Sequence, residues 1–400
     1  MTDVDAVLAP MWRTIDRVVG EGDLRKMLAS GRQLRIKYGV DCTAPDLHLG
    51  HAVNLWLMRH LQDHGHRVLF LLGDLTTRVG DPTGKSQTRP VLSPEEIEAN
   101  AAAFLGQVGL VLNTNPSVFE VRRNSEWYDR MSVAEMLSLF SMTTHAQLME
   151  RDMFRQREAE GREIAFHELA YPVLQGYDSV ALESDLTIVG SDQLFNELMG
   201  RTLQQRHGRD GQVVVTTRIT PGLDGGPKQS KSLGNYVALT DSPGEKFGKI
   251  MSLPDHLVSE WAQAYSELSD DAVEALKEAA TAGGAAARDA KLDLAEAIVW
   301  RYHGNGEARL QRDSFLAVFS DRAVPTDIPE LAIPQHPLTV LELVALAQPA
   351  LSITAARRLV AEGAVRLDGD RLSDPQDAIN PTSGAVLRIG KRYWLRLVRG

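Results

Sequence analysis

Short apolar or β-branched runs alternate with helical patterns through the first half of the chain, and this alternation constrains the fold more than any other feature. It is the signature of a parallel sheet flanked by helices. Strands are predicted at 35–40, 67–72, 118–122, 186–189 and 213–217, with helices at 51–64, 94–111, 133–139, 167–177 and 192–205 between and around them. The expected architecture is an α/β domain, 1–242, with an open, doubly wound, Rossmann-like parallel sheet. Ligands in such sheets bind at the carboxyl ends of strands, where a loop opens into a helix.

From 243 to about 319 strand signals vanish and helix formers dominate, at 271–280 and 288–302, so 243–323 reads as an all-helical domain. Pro325, Pro329, Pro334 and Pro337 then mark 324–337 as an extended, semi-rigid linker. The remainder, 338–400, reads as a small α+β module. Its helices fall at 339–347 and 353–361, with Ser352 as N-cap and Gly363 as the stop; strands fall at 365–367, 386–389 and 393–398, with turns at Asp368-Gly369 and Gly390-Lys391. A chain of 400 residues accommodates three such domains.

Charge is unevenly spread. Residues 351–400 hold eight Arg and one Lys against four Asp and one Glu, a net +4, which leaves −14 on the rest of a chain whose total is −10. An acidic body argues against a protein that coats nucleic acid with its whole surface, and no DNA partner is expected; a basic terminal module is the footprint of a local phosphate-binding surface, the alternative reading being an Arg-rich solvated face. The single cysteine, Cys42, excludes a disulfide framework or a cluster of several thiolates and suits a reducing cytoplasm. Asp3 and Asp5 sit where a targeting signal would be positive, and the uncharged run 100–119 is broken by Gln107, Asn113, Asn115 and Pro116, so neither a leader nor a membrane span is expected.

Two motifs carry chemistry. After the strand 35–40, the stretch 38–51 ends in His48-Leu49-Gly50-His51. The two histidines share one face of a helix start, where free N–H groups and the dipole favour phosphate, and Gly50 gives an adenine ring room to pack on the turn. A His-x-Gly-His match arises by chance about 0.02 times in such a chain; the alternative reading is a pair of histidines that cap the helix. The second motif is Lys228-Gln229-Ser230-Lys231-Ser232, in a stretch with Gly222, Gly225, Gly226 and Gly234. Ammonium groups on a closing loop can follow the charge that builds on a departing pyrophosphate, although Lys/Ser loops are commonly just solvated. Two other readings fail: Gly80 to Ser86 has three residues between its glycines where a P-loop needs four, and His167-Glu168 lacks the second histidine of a zinc-protease helix.

In this order, the two motifs resemble the paired signatures of class I aminoacyl-tRNA synthetases, written HIGH and KMSKS. Further stretches resemble bacterial tyrosyl-tRNA synthetases: Gly80-Asp81-Pro82-Thr83-Gly84, Asn124-Ser125-Glu126-Trp127, Tyr171 through Asp178, and Gly190-Ser191-Asp192-Gln193. The terminal module is similar to the S4 RNA-binding domain, most clearly at Ala355-Ala356-Arg357-Arg358-Leu359-Val360.

The resemblance implies ATP-dependent activation of L-tyrosine, with Mg²⁺ bound to the ATP and no metal ligands of the chain's own, followed by transfer to tRNA(Tyr), in a homodimer. It places Asp178 and Lys37 at the phenol hydroxyl, Asp81, Tyr171 and Gln175 at the α-ammonium, and Gln193 at the carboxylate. Asp192 would hold the adenylate ribose, with Gly39, Asp41 and Gly50 completing the ATP site. Thr43, His48, His51, Lys228, Lys231 and Ser232 would bind phosphates, and Arg357 and Arg358 the tRNA. The chain departs from the pattern at Cys42 (usually Pro), Gln229 (often Met) and Val189 (commonly Gly), has the lysine of one branch at Lys37, and is unusually polar at 216–220. These departures keep two alternatives in view: a paralogue that activates another aromatic or modified amino acid, and an RNA binder with a dead site.

Overall fold

The computed structural model describes residues 3–43, 46–82, 92–230, 233–320, 328–334, 336–349, 351–390 and 393–399. Lys231 and Ser232 of the second motif, Thr83 to Ser86 of the rejected P-loop reading, Pro325 and Lys391 lie outside the described residues. The backbone divides into two compact units, Met1–Ala308 and Arg309–Gly400.

In the first unit β1 (Ile15–Val19), β2 (Arg35–Val40), β3 (Arg67–Leu72), β4 (Phe119–Arg123), β5 (Leu186–Gly190) and β6 (Val213–Thr217) form one sheet in the order β1-β6-β5-β2-β3-β4. β2 to β6 run parallel, and β1 closes one edge antiparallel to β6. From β2 the chain winds outward to β3 and β4, then returns to place β5 on the other flank of β2. The α/β class and the doubly wound sheet expected from the sequence are both present. The topological switch therefore lies between β2 and β5, and the ends of these two strands frame a crevice.

The inner strands were readable because helices cover both faces and every position must be apolar or hydrogen-bonded. β6 is buried along its whole length. Its polar end is satisfied: the Thr217 hydroxyl donates to Asn54 Oδ1 at 2.7 Å and the Thr216 hydroxyl to Asp16 Oδ2 at 3.2 Å. β1 was not anticipated. As an edge strand it needs only one buried flank, its sequence Ile-Asp-Arg-Val-Val shows no clean alternation, and a register shift interrupts it between Ile15 and Arg17.

Helix starts follow side-chain caps. Ser93, Ser132 and Ser242 each bond the backbone of a glutamate three residues on, which reciprocates, opening Pro94–Val108, Val133–Ser141 and Pro243–Met251. The helix expected at 192–205 is corrected at its start: Ser191–Gln193 is a 3-10 turn and the α-helix runs Leu194–Arg206, which leaves Asp192 and Gln193 at the mouth of β5. The helix expected at 167–177 runs Phe166–Ala181 and tolerates Pro172 inside it. The helices Val258–Tyr265, Asp270–Ala282 and Gly284–His303 belong to the same unit. They are tied to it by Trp261, whose indole N–H donates to the Pro221 carbonyl at 3.2 Å, and by Trp56, which donates to the Tyr302 hydroxyl at 3.0 Å.

The second unit carries β7 (Glu330–Ile333), β8 (Leu338–Thr339), β9 (Val365–Leu367), β10 (Asp370–Leu372), β11 (Ala378–Ile379), β12 (Val386–Ile389) and β13 (Tyr393–Arg399). Five of them form the sheet β10-β9-β12-β13-β7. Part of the segment read as linker is thus a strand: β7 pairs parallel with β13, flanked by Pro329 and Pro334, which cost no ladder bonds at the ends of a strand. β10 was also missed; Asp368 and Gly369, both at positive φ, turn β9 back into it. The helices Val340–Ala347 and Ile353–Ala361 bury Leu343, Val344, Ala356 and Val360 against Leu387, Leu395 and Leu397. Arg357 and Arg358 stand on the exposed side of the second helix, where Arg358 lies 3.7 Å from Glu362. Among the described residues no helix is long and apolar enough to cross a membrane.

Candidate active site

A cleft of about 360 Å³ opens at the switch point between β2 and β5. It is lined by every described residue nominated for the amino acid and the ATP: Lys37, Gly39, Asp41, Thr43, His48, Gly50, His51, Asp81, Tyr171, Gln175, Asp178, Asp192, Gln193 and Lys228.

Its floor is charged. Lys37, 1 % exposed in the middle of β2, lies 2.8 Å from Glu197, which is 2 % exposed, and donates to the Ser179 hydroxyl at 2.8 Å. An ammonium has three donors, so a third remains beyond these two partners. Glu197 also accepts from Gln175 and Gln212, each at 2.9 Å. Sequence reading missed Glu197, which looks like one more polar residue on a surface helix. The available signal was Lys37 itself, because a lysine inside a central strand requires a buried counter-charge.

Asp178 accepts from the Trp127 indole at 3.1 Å and from Asn124 at 3.4 Å. Burial pushes its carboxyl up to about 7, against the opposing pull of Lys37 and of these donors. In the folded chain it therefore keeps its proton well above the ordinary value of 3.8. The folded state then binds more protons than the unfolded one between about pH 4 and pH 7, so this group's contribution to stability falls as pH rises through that window. Asp178→Asn is expected to flatten the dependence, with the native chain losing a few kcal/mol more than the variant between pH ~4.5 and ~7.5 in denaturant unfolding; parallel curves would refute it.

Above the floor, the Tyr171 hydroxyl donates to Asp41 Oδ2 at 3.1 Å, the Thr76 hydroxyl donates to Asp41 Oδ1 at 2.9 Å, and Asn124 donates to Thr76 at 3.0 Å. Burial, reinforced by the Asp41 charge, holds the Tyr171 phenol well above its usual range, so it stays a donor. Gln193 donates to Asp81 Oδ2 at 3.0 Å, and Asn196 to Gln175 at 2.8 Å and Gln193 at 3.1 Å. Residues assigned separately are thus bonded to one another: Tyr171 of the ammonium set to Asp41 of the ATP set, and Asp81 of the ammonium set to Gln193 at the carboxylate.

At the helix Leu49–Asp63, His48 and His51 form a reciprocal cap. His48 Nδ1 accepts from the Gly50 N–H at 3.2 Å, His51 Nδ1 accepts from the His48 N–H at 3.3 Å, and the ring centroids lie 3.9 Å apart. The capping reading is therefore structurally real, in residues that also face the cleft. It adds a second reason for Gly50: a Cβ there would meet the His48 ring at 3.0 Å, so any side chain would press on the histidine's own turn. Lys228 reaches across the cleft to within 3.7 Å of Asp192.

The departures have local reasons. Cys42 donates its backbone N–H to the Thr77 hydroxyl at 2.8 Å, a bond proline cannot make, and burial followed by Asp41 pushes its thiol up to about 12, which leaves it inert. Val189 pairs with Thr216 in the sheet and lines the cleft.

Comparison with known proteins agrees with this geometry. Residues 29–320 match the family model of the class I tRNA synthetases (W and Y). The chain is 44 % identical over 390 residues to the tyrosine–tRNA ligase of Moorella thermoacetica, covering 96 % of this chain and 94 % of that one. It is 42 % identical over 398 residues to that of Oleidesulfovibrio alaskensis, covering 99 % of both. Among solved structures, the C-terminally truncated mitochondrial tyrosyl-tRNA synthetase of Aspergillus nidulans superposes with a TM-score of 0.63 at 23 % identity, over 80 % of this chain and 95 % of that one. At that identity the likeness shows the fold alone.

Proposed function

The chain belongs to the class I aminoacyl-tRNA synthetases, with the tyrosine–tRNA ligase activity of its full-length relatives, and from this premise we propose how its own residues divide the reaction. The tyrosine phenol hydroxyl donates to Asp178 and accepts from the spare donor of Lys37. Tyr171, Asp81 and Gln175 take the α-ammonium, and Gln193 orients the carboxylate. One carboxylate oxygen attacks the α-phosphorus of ATP, the bond to the bridging oxygen breaks, and pyrophosphate leaves. His48, His51, Thr43 and the loop of Lys228, Lys231 and Ser232 stabilise the charge gathering on that leaving group. Gly39, Asp41 and Gly50 border the nucleotide and Asp192 takes its ribose. Mg²⁺ arrives with ATP as part of the substrate and spreads the phosphate charge. A ribose hydroxyl at the 3′ end of tRNA(Tyr) then attacks the adenylate carbonyl and releases AMP.

The observation that supports this most is that the buried Lys37–Asp178 floor and the histidine pair with Lys228 line the same cleft. Leaving a buried polar partner unpaired is what rejects a phenyl ring in favour of a phenol. We assign catalysis to 1–242, contact with the anticodon arm to 243–323 and RNA binding to 338–400 together with β7, which leaves a linker role to 324–329, all in the cytoplasm. ATP–pyrophosphate exchange across a panel of amino acids tests the reading: exchange with tyrosine alone is expected, and exchange only with another amino acid would support the paralogue. Arg357→Ala with Arg358→Ala is expected to weaken tRNA charging, lower the slope of log affinity against log salt by about 1.5, and leave exchange intact. Equal loss of both activities would sink the RNA-binding role.

A homodimer is supported by Val133 and Leu137, one turn apart on one helix and 77 % and 62 % exposed, an apolar stripe on which a second copy can close. Leu137→Asp should then sediment as a monomer.

A further inference from the structure

We infer that Tyr265 is a positioning residue for Lys228, acting through Gln229, in a coupling that rests on the functional reading above. Gln229 stands where the family motif often has an apolar side chain, and it is 5 % exposed. A buried amide must find partners at both ends. Its Nε2 donates to the Tyr265 hydroxyl at 2.6 Å, and its Oε1 accepts the Val237 N–H at 3.4 Å. The Tyr265 hydroxyl is also bonded to the hydroxyl of Thr220. A phenol has one proton and two lone pairs, so it can accept from Gln229 and still share a bond with the Thr220 hydroxyl, in which either oxygen can donate.

The chain of bonds continues into the first motif. The Val237 carbonyl accepts the Leu49 N–H at 3.0 Å, the next residue Ala238 bridges to His48, and the Tyr236 ring lies 5.7 Å from the His48 ring. Tyr265 is itself immobilised: it is 1 % exposed, packs edge-on against Trp261 at 5.0 Å, and its carbonyl accepts from Arg301 at 3.2 Å. One hydroxyl on the helix Val258–Tyr265 therefore fixes the residue next to Lys228, while the same amide is joined to the turn that shapes His48. Gln229 and Tyr265 form a matched pair. The polar side chain in the motif is stable only because a hydroxyl waits beneath it, and the cation that faces the phosphates inherits its register from that bond.

The test uses the full chain and Tyr265→Phe, which keeps the ring and removes only the hydroxyl. Exchange kinetics with tyrosine are expected to show kcat lowered about tenfold and KM for tyrosine within about twofold, because a displaced phosphate-facing group costs rate more than binding. Gln229→Met added to Tyr265→Phe should recover at least half of the lost kcat, since an apolar side chain no longer seeks the missing partner. A lowered melting temperature with unchanged kcat would make Tyr265 merely structural and overturn the inference, as would additive losses in the double variant. The native chain run alongside separates the two levels: if it shows no tyrosine exchange the functional reading fails, whereas native exchange with an unaffected variant removes only the coupling.

Discussion

Lys37→Met is expected to destabilise the chain by about 3–5 kcal/mol, the usual cost of removing one partner from a buried ion pair. The remaining Glu197 would be a carboxylate at 2 % exposure, still facing the amides of Gln175 and Gln212 but with no cation. Two amide donors do not balance a full charge inside a sheet domain, so the group would take up a proton or draw in water, and either response disturbs Gln175. Loss of tyrosine binding should therefore accompany the loss of stability. Lys37→Met with Glu197→Leu is the informative control. Replacing both charges by apolar groups of similar size removes the desolvation cost together with the attraction, so the double variant should regain most of the stability and none of the tyrosine affinity. Denaturant unfolding of the single and double variants measures the coupling directly. If Lys37→Met unfolded within about 1 kcal/mol of the native chain, the pair would be exchanging with solvent and the proposed floor of the tyrosine site would be wrong.

The same pair shows what could be read from the sequence. Three of the five strands predicted in the first half match the observed ones residue for residue, because inner parallel strands are continuous apolar runs bounded by turns. The crevice followed from topology alone, whereas the residues at its strand ends, Asp41 after β2 and Asp192 after β5, were nominated by the family resemblance; both line the cleft. Short or edge strands escaped: β1, β7 and β10 carry little periodicity in three to five residues. So did every residue whose importance depends on a distant partner. Glu197 matters because Lys37 is 160 positions away in sequence and adjacent in space, and Tyr265 because Gln229 is polar. Local pattern reports which residues are unusual; only the fold reports what satisfies them. Lys37 and Gln229 were both visible as oddities, and each pointed to a partner that sequence could not supply.

His48 presents the second large effect, and its two jobs can be separated. Its ring caps the helix Leu49–Asp63 through the Gly50 N–H, and in the proposed reaction it also stabilises the departing phosphates. Asparagine is among the best N-caps, with a side-chain oxygen that reaches the same backbone donors, but it offers no imidazole to a phosphate. His48→Asn is therefore expected to leave stability within ~0.5 kcal/mol of the native chain while lowering kcat for tyrosine-dependent exchange by about 10²–10³, the cost of removing one well-placed stabiliser of developing negative charge. KM for tyrosine should stay near its native value, because Asp178, Gln175 and Tyr171 are untouched. His48→Ala removes both jobs and should add a stability loss of about 1 kcal/mol to the same fall in rate. If His48→Asn kept full kcat, the histidine would be a cap alone, and the charge on pyrophosphate would have to be met by His51 and the lysine loop. A loss of rate that tracked stability across the two variants would argue the same way, since the cap would then be what the chemistry depends on. The proposed division of labour survives only if asparagine preserves the helix and loses the reaction.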